Sequence, residues 1–167
     1  MKHLLLVRHA KSSWANIGQD DFDRPLNDRG NKDAPAMAER IKKKGVEIDQ
    51  FISSPALRAI TTAMYFAKAY HQAANIVQLD HLYHAPAAAY YQAIQNIDDS
   101  IKTAAIFAHN PGITDFINEL DVSFVPNMPT CGVFAIKINI NHWVDFKKGK
   151  KEWWFFEYPK LLESWAF

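Results

Sequence analysis

Short unbroken apolar runs alternate along the chain with longer segments whose apolar residues recur every three or four positions. Residues 2–7 are a brief apolar run with flanking charge, which predicts a buried strand. Residues 10–26 have neither a helical nor a strand period and contain Gly18, three Asp and Pro25, so they predict a long loop. Asn27 then caps a helix reaching about Lys44, with Ala34, Met37, Ala38 and Ile41 on one face and Gly45 as its stop. Residues 49–53 predict a second strand. Ser54-Pro55 predicts a helix start, Ser at the cap and Pro in the first turn, running to about Tyr70 with Leu57, Ile60, Thr61 and Met64 on one stripe. Residues 75–79 predict a third strand, and Pro86 to Ile97 a helix. Residues 103–108 predict another buried strand, and His109-Asn110-Pro111-Gly112 a turn into a helix with Ile113, Phe116, Ile117 and Leu120 inward. Residues 131–140 and 151–157 predict late antiparallel strands joined around Gly149. Strands alternating with helices predict an α/β fold with a largely parallel sheet covered on both faces.

The length of 167 residues fits one domain over 1–167. Apolar residues at 49% and charged residues at 22% fit a folded globular chain rather than a disordered one. The 19 Lys and Arg nearly balance 18 Asp and Glu, leaving a formal charge of +1. That balance lacks the broad basic footprint of a nucleic-acid binder, so any basic chemistry must be local. The apolar run at Leu4–Val7 ends at Arg8, too short for a secretory leader or a membrane span. Cys131 is the single cysteine; it can form no internal disulfide and no multi-cysteine zinc site. A cytoplasmic location is the resulting expectation, with no nucleic-acid or membrane partner. The lysine run at residues 42–44 is expected to solvate a helix end. The late aromatics Trp143, Trp153, Trp154, Phe155, Phe156 and Trp165 are expected mainly in core and sheet packing.

Candidate chemistry collects where strands end. Arg8-His9 leave the first strand, Ser53-Ser54 the second with Arg58 one turn onward, and His109-Asn110 the fourth. Open α/β sheets bind ligands outside the carboxyl ends of their strands, so these residues should share one rim. Arginine offers a permanently charged fork suited to phosphate oxygens, and a neutral imidazole is a nitrogen nucleophile. Two arginines, two histidines and two helix N-termini therefore predict an anion pocket with a nucleophile inside, suited to phosphoryl transfer. His81 and His84 have zinc-compatible spacing on a helix, but no third ligand is nearby in sequence. No strand exit carries the carboxylates a magnesium site needs. His3, His71 and His142 read as surface or packing residues.

These residues also resemble a known family. Leu6-Val7-Arg8-His9-Ala10 is similar to the RHG motif of the histidine phosphatase superfamily. Asp23-Arg24-Pro25-Leu26-Asn27-Asp28-Arg29-Gly30 resembles the D-R-P-L-T-x-x-G segment of its small SixA-like branch, the phosphohistidine phosphatases. Ser53-Ser54-Pro55-Ala56-Leu57-Arg58-Ala59 and Ala108-His109-Asn110-Pro111-Gly112 resemble its S-S-P-x-x-R-A and G-H-N-P-G segments, and Pro129-Thr130 its late P-T pair. The resemblance implies a three-layer α/β/α sandwich like that of phosphoglycerate mutase. It implies His9 as nucleophile, with Arg8, Arg58 and His109 holding phosphoryl oxygens and Arg24 and Ser12 at the phosphate rim. Arg24 has a competing assignment, a salt bridge to Asp21 or Asp23.

The sequence departs from that pattern in its proton donor. Larger branches carry a Glu in the middle region or an Asp after the second His. Here Asn110 follows His109, and residues 82–95 contain no carboxylate. Alcohol leaving groups need a proton more than a phosphoramidate nitrogen does, so this absence favours P–N over P–O cleavage. His84, or one of Asp20, Asp21 and Asp23, is the remaining candidate donor. The expected activity is phosphohistidine hydrolysis without cofactor or metal, in an open, shallow pocket. The partner is then a phosphorylated protein, such as a phosphocarrier or histidine-phosphotransfer domain, or a small phosphorylated substrate. A phosphatase for small phosphate esters and a non-catalytic phosphoprotein-binding module are the alternatives.

Overall fold

The computed structural model describes residues 1–161. The alternation predicted above is present as β1 (Lys2–Arg8), α1 (Asp28–Lys43), β2 (Gln50–Ser53), α2 (Leu57–Ala69), β3 (Ile76–Gln78), α3 (Ala87–Gln95), β4 (Thr103–Ala108), α4 (Gly112–Glu119), β5 (Val133–Asn139) and β6 (Lys150–Glu157). The strands form one sheet in the order β3-β2-β4-β1-β5-β6. The first four strands in that order are mutually parallel, while β5 runs antiparallel to β1 and β6 antiparallel to β5.

The sheet has an apolar core on each side, because central strands with apolar side chains on both faces must be covered twice. Leu5, Val7, Phe51, Ala105 and Phe107 pack with Ala34, Met37 and Ile41 of α1 and Ala63 and Phe66 of α2. Leu4, Leu6, Ala104 and Ile106 point the other way, to Tyr90 and Ile94 of α3 and Ile113, Phe116 and Ile117 of α4. The result is the expected three-layer α/β/α sandwich. Chain order reverses across the centre: α1 carries the chain from β1 past a vacant lane to β2, and β4 later fills that lane. Strand ends at such a reversal splay their loops apart and leave a crevice.

Local signals hold with two exceptions. The Asn27 side chain accepts from the Gly30 amide at 2.9 Å, so the predicted cap of α1 is made. Residues 10–26 form the expected loop, with a short 3₁₀ turn at Asp21–Asp23 and one bridge between Ser12 and Leu26. The first exception is α2, which begins at Leu57 rather than at Ser54-Pro55. The Ser54 hydroxyl is shared: it accepts from the Ala56 amide at 3.3 Å and lies 2.7 Å from Nε2 of His109. The second is the lysine run, which is not simply solvated. Lys44 pairs with Glu157 at 3.0 Å, and Lys42 donates to the Ala69 carbonyl at 2.7 Å. Trp143 is fully buried and donates from Nε1 to the Ile101 carbonyl, whereas Trp153 stays exposed on β6. Trp165 lies outside the described residues. Among the described residues, no helix is long and apolar enough to cross a membrane.

Candidate active site

The two central strands bring the two histidines together. β1 and β4 pair in register from His3↔Thr103 to Arg8↔Ala108, so the residues that follow each strand emerge side by side. His9 donates its amide to the Ala108 carbonyl at 3.0 Å, and the His9 and His109 rings lie 5.1 Å apart. β2 flanks β4, and the Ser54 amide donates to the Phe107 carbonyl, which brings the start of α2 and Arg58 to the same rim. A polar cleft of about 290 Å³ opens there. Its lining includes Arg8, His9, Ser12, Arg24, Arg58 and His109, so the structure gathers all six predicted site residues.

His9 sits at the floor, only 7% exposed. Its Nδ1 is 2.7 Å from the Ala10 carbonyl oxygen. A carbonyl only accepts, so Nδ1 carries the proton and Nε2 keeps its lone pair. Nε2 faces Arg58, whose Nε lies 3.4 Å away. Burial, and then the nearby Arg58, Arg8 and Arg24 charges, outweigh the Ala10 hydrogen bond and lower the His9 pKa to about 3. The ring is therefore neutral across the physiological range, with its free nitrogen aimed at a cluster of cations. The Ala10 amide is held by the Thr62 hydroxyl, which itself donates to the Arg58 carbonyl, tying the loop after His9 to α2.

The three arginines are arranged differently. Arg8 donates from Nη1 to the Met128 carbonyl at 2.8 Å, and its buried Nε has no partner among the described residues. Arg58 is 5% exposed and donates from Nη1 to the Asp21 carbonyl and from Nη2 to the Asp21 carboxylate, at 2.6 and 2.9 Å. Arg24 reaches the other Asp21 oxygen at 2.9 Å, contacts the Ser12 hydroxyl and stacks on the Trp14 ring. Both assignments weighed for Arg24 thus hold at once: it pairs with Asp21 and it lines the cleft.

Asp21, one of the aspartates left open as a partner of Arg24 or a proton donor, ties Arg24 and Arg58 together. Its carboxylate receives Arg24, Arg58 and the Tyr83 hydroxyl. Burial opposes its charge, but those hydrogen bonds outweigh burial and hold the carboxyl well below the usual carboxylate range. It is therefore an anion that fixes the outer edge of Arg58 and leaves Nε turned to His9. The i,i+3 spacing of Asp21 and Arg24 was the available sequence signal. The contacts to Arg58 and Tyr83, 37 and 62 residues away, had none.

The His109 ring makes one hydrogen bond among the described residues, through Nε2 to the Ser54 hydroxyl, and its buried Nδ1 has no partner there. Burial, followed by the charges of His9 and Arg58, lowers its pKa to about 3 as well. The surrounding loops are set by close backbone approaches. A side chain at Gly30 would overlap the Lys11 carbonyl oxygen, and one at Gly112 the Ala85 carbonyl oxygen. The glycines of the Asp23–Gly30 and His109–Gly112 segments are thus required because α1 packs on the loop after His9 and α4 on the loop after His84. His84 lines the cleft, as do Lys11, Trp14, Asn110 and Thr130, while His81 does not. Among the described residues, no three His, Cys, Asp or Glu side chains are grouped as metal ligands.

The comparisons with known proteins agree with this architecture. The model of the histidine phosphatase superfamily (branch 1) matches residues 4–98, more than half of the chain, and the protein belongs to that superfamily. Phosphoserine phosphatase 1 of Hydrogenobacter thermophilus is 34% identical over 87 residues, 48% of this chain and 40% of that protein. A 2,3-bisphosphoglycerate-dependent phosphoglycerate mutase of Pelagibacter ubique is 41% identical over 70 residues, 39% of this chain and 28% of the mutase. The matched stretches therefore span well under half the length of these curated relatives. Two solved structures cover nearly the whole fold. SixA of Agrobacterium tumefaciens, assigned as a phosphohistidine phosphatase, has a TM-score of 0.78 at 24% identity over 95% of this chain and 99% of that one. The protein histidine phosphatase SixA complexed with tungstate has a TM-score of 0.79 at 21% identity over 96% and 99%. At these identities the likeness establishes a shared, phosphoglycerate-mutase-like SixA fold.

Proposed function

We propose that this protein is a phosphatase that hydrolyses phosphohistidine through a covalent phospho-His9 intermediate. The observation that carries the reading is the tautomer of His9. With Nδ1–H bound to the Ala10 carbonyl, the unprotonated Nε2 faces a cleft lined by the cations of Arg8, Arg24, Arg58 and Lys11. In the first step Nε2 attacks phosphorus in line, and the bond to the leaving group breaks with its electron pair. Arg8 and Arg58 balance charge on the equatorial oxygens, neutral His109 donates a hydrogen bond to one of them, and Arg24 and Ser12 hold the rim. In the second step water attacks phospho-His9, the P–N bond breaks, and inorganic phosphate leaves. Positioned cations of this kind are the main device of phosphoryl transfer. Binding of tungstate, a tetrahedral oxyanion, by a protein of the same fold supports this use of the cleft.

The chemistry needs no metal on this reading, because guanidinium and imidazole groups hold the phosphoryl charge and the cleft's carboxylate is already paired to arginine. The preference for P–N bonds rests on the absence of an unpaired carboxylic acid in the cleft lining. Phosphoserine, which names the activity of one relative, is the natural competitor. The reaction's partner is then a phosphorylated protein side chain, which a cleft with an exposed Trp14 at its edge can admit. The deciding experiment is a panel of free phosphohistidine, a phosphorylated carrier domain, phosphoserine and sugar phosphates, with and without EDTA. The expected result is the highest kcat/KM on the phosphohistidine donors, unchanged by chelation. A higher value on phosphoserine or sugar phosphates, or loss of activity with EDTA that zinc restores, rejects it.

A further inference from the structure

We propose that His84 is the proton donor to the leaving group, an imidazole standing in place of a carboxylic acid. This rests on the phosphatase reading above and deepens it. Three observations converge on this residue. First, the cleft's carboxylate, Asp21, is held as an anion by Arg24, Arg58 and Tyr83 and has no proton to give. Asp20 and Asp23 do not line the cleft. Second, His84 is exposed on the cleft wall, and its ring makes no hydrogen bond among the described residues. It also lines the adjoining depression, of about 280 Å³, beside Asp115 and Asn110. It therefore stands where the two openings meet, facing both the cleft and the depression beside it. Third, its placement is built. His84 adopts φ 53°, a left-handed conformation that is uncommon for a residue with a side chain and recurs at functional sites. Its ring packs 4.0 Å from that of Tyr83, which in turn lies 5.7 Å from the ring of His109 and donates to Asp21. Tyr83 thus seats the His84 ring beside the cleft while itself touching His109 and Asp21.

The chemistry balances. As the bond from His9 Nε2 to phosphorus forms, the old P–N or P–O bond breaks and its electron pair passes to the leaving group. His84 delivers its proton there, so the group departs neutral, and His84 regains a proton from solvent. An imidazole can hold and release a proton near neutral pH, and its basicity matches that of a departing imidazole. The substrate this donor suits best is therefore a phosphorylated histidine side chain.

Dependence on the leaving group tests the proposal. Asn is the substitution chosen, because it tolerates the left-handed backbone and cannot donate as an acid. His84→Asn is expected to lower kcat/KM for phosphohistidine and phosphoserine at pH 6 by about 10²-fold or more. For 4-nitrophenyl phosphate, whose leaving group needs no proton, the loss in kcat/KM should be at least about tenfold smaller. Equal losses on all three donors would mean that His84 only shapes the site, and no loss on any would mean that it has no part; either overturns the proposal. A wild-type protein that never phosphorylates His9 overturns instead the phosphatase reading on which the proposal rests.

Discussion

Acid should unfold this protein through its two buried histidines, His9 and His109. His9 is 7% exposed with a pKa lowered to about 3, mainly by burial and then by the Arg58, Arg8 and Arg24 charges. The unfolded chain has an ordinary imidazole, with a pKa near 6.5. Between those values the unfolded state binds a proton that the folded state refuses, so stability is full above pH 6.5 and falls as the pH drops towards 3. At pH 5 the gap to the unfolded value is about 1.5 units, a loss of about 2 kcal/mol from His9 alone. His109, also lowered to about 3, adds a loss of the same sign in the same window. Urea unfolding at pH 7 and pH 5 measures the effect directly. With slopes of about 1–3 kcal/mol per molar urea, a 2 kcal/mol difference moves the midpoint by about 1 M. His9→Gln should remove that part of the pH dependence while leaving a folded protein. If wild type and His9→Gln lose the same stability between pH 7 and pH 5, His9 is not buried as a neutral imidazole, and the account of the nucleophile fails.

Three further outcomes follow from the site. Arg58→Ala should lower kcat/KM by at least about 10²-fold, as loss of a charged contact to a developing oxyanion does, measured by steady-state kinetics. Asp21→Asn should lower kcat by about tenfold, because Arg58 loses a charge-assisted restraint. It should also tighten inhibition by inorganic phosphate, because an anion beside the pocket is gone; unchanged kcat and product inhibition would show that Asp21 orients nothing. Gly112→Ala should cost about 1–3 kcal/mol of stability by forcing α4 away from the Ala85 carbonyl. The displaced loop should cost about 10²-fold in kcat/KM, and a thermal melt paired with kinetics checks both.

The sequence was legible where local chemistry and position agreed. Apolar runs and helical stripes gave β1, α1, β4 and α4, because each buries a face whose period is written in consecutive residues. The rule that ligands lie beyond strand ends placed Arg8, His9, Arg58 and His109 on one rim, and the β1–β4 register explains why. Ser54 misled because Ser-Pro is a strong helix-start signal, and only the neighbouring strand reveals the competing partner, His109. The grip of Asp21 on Arg58 and Tyr83 was invisible for a similar reason. The three residues are brought together by a loop, a helix and a turn whose relative placement no local pattern encodes. The strained backbone at His84 was equally silent, since it follows from the packing of its loop rather than from its own preference.

Covalent capture at His9 tests the account most directly. The protein is mixed with a phosphoryl donor, quenched rapidly in alkali, digested and analysed by mass spectrometry. The account predicts one added phosphoryl group on the peptide holding His9, stable in base, lost on mild acid treatment, and absent in His9→Gln. A phosphoryl group on another residue, or full turnover by His9→Gln, would contradict it.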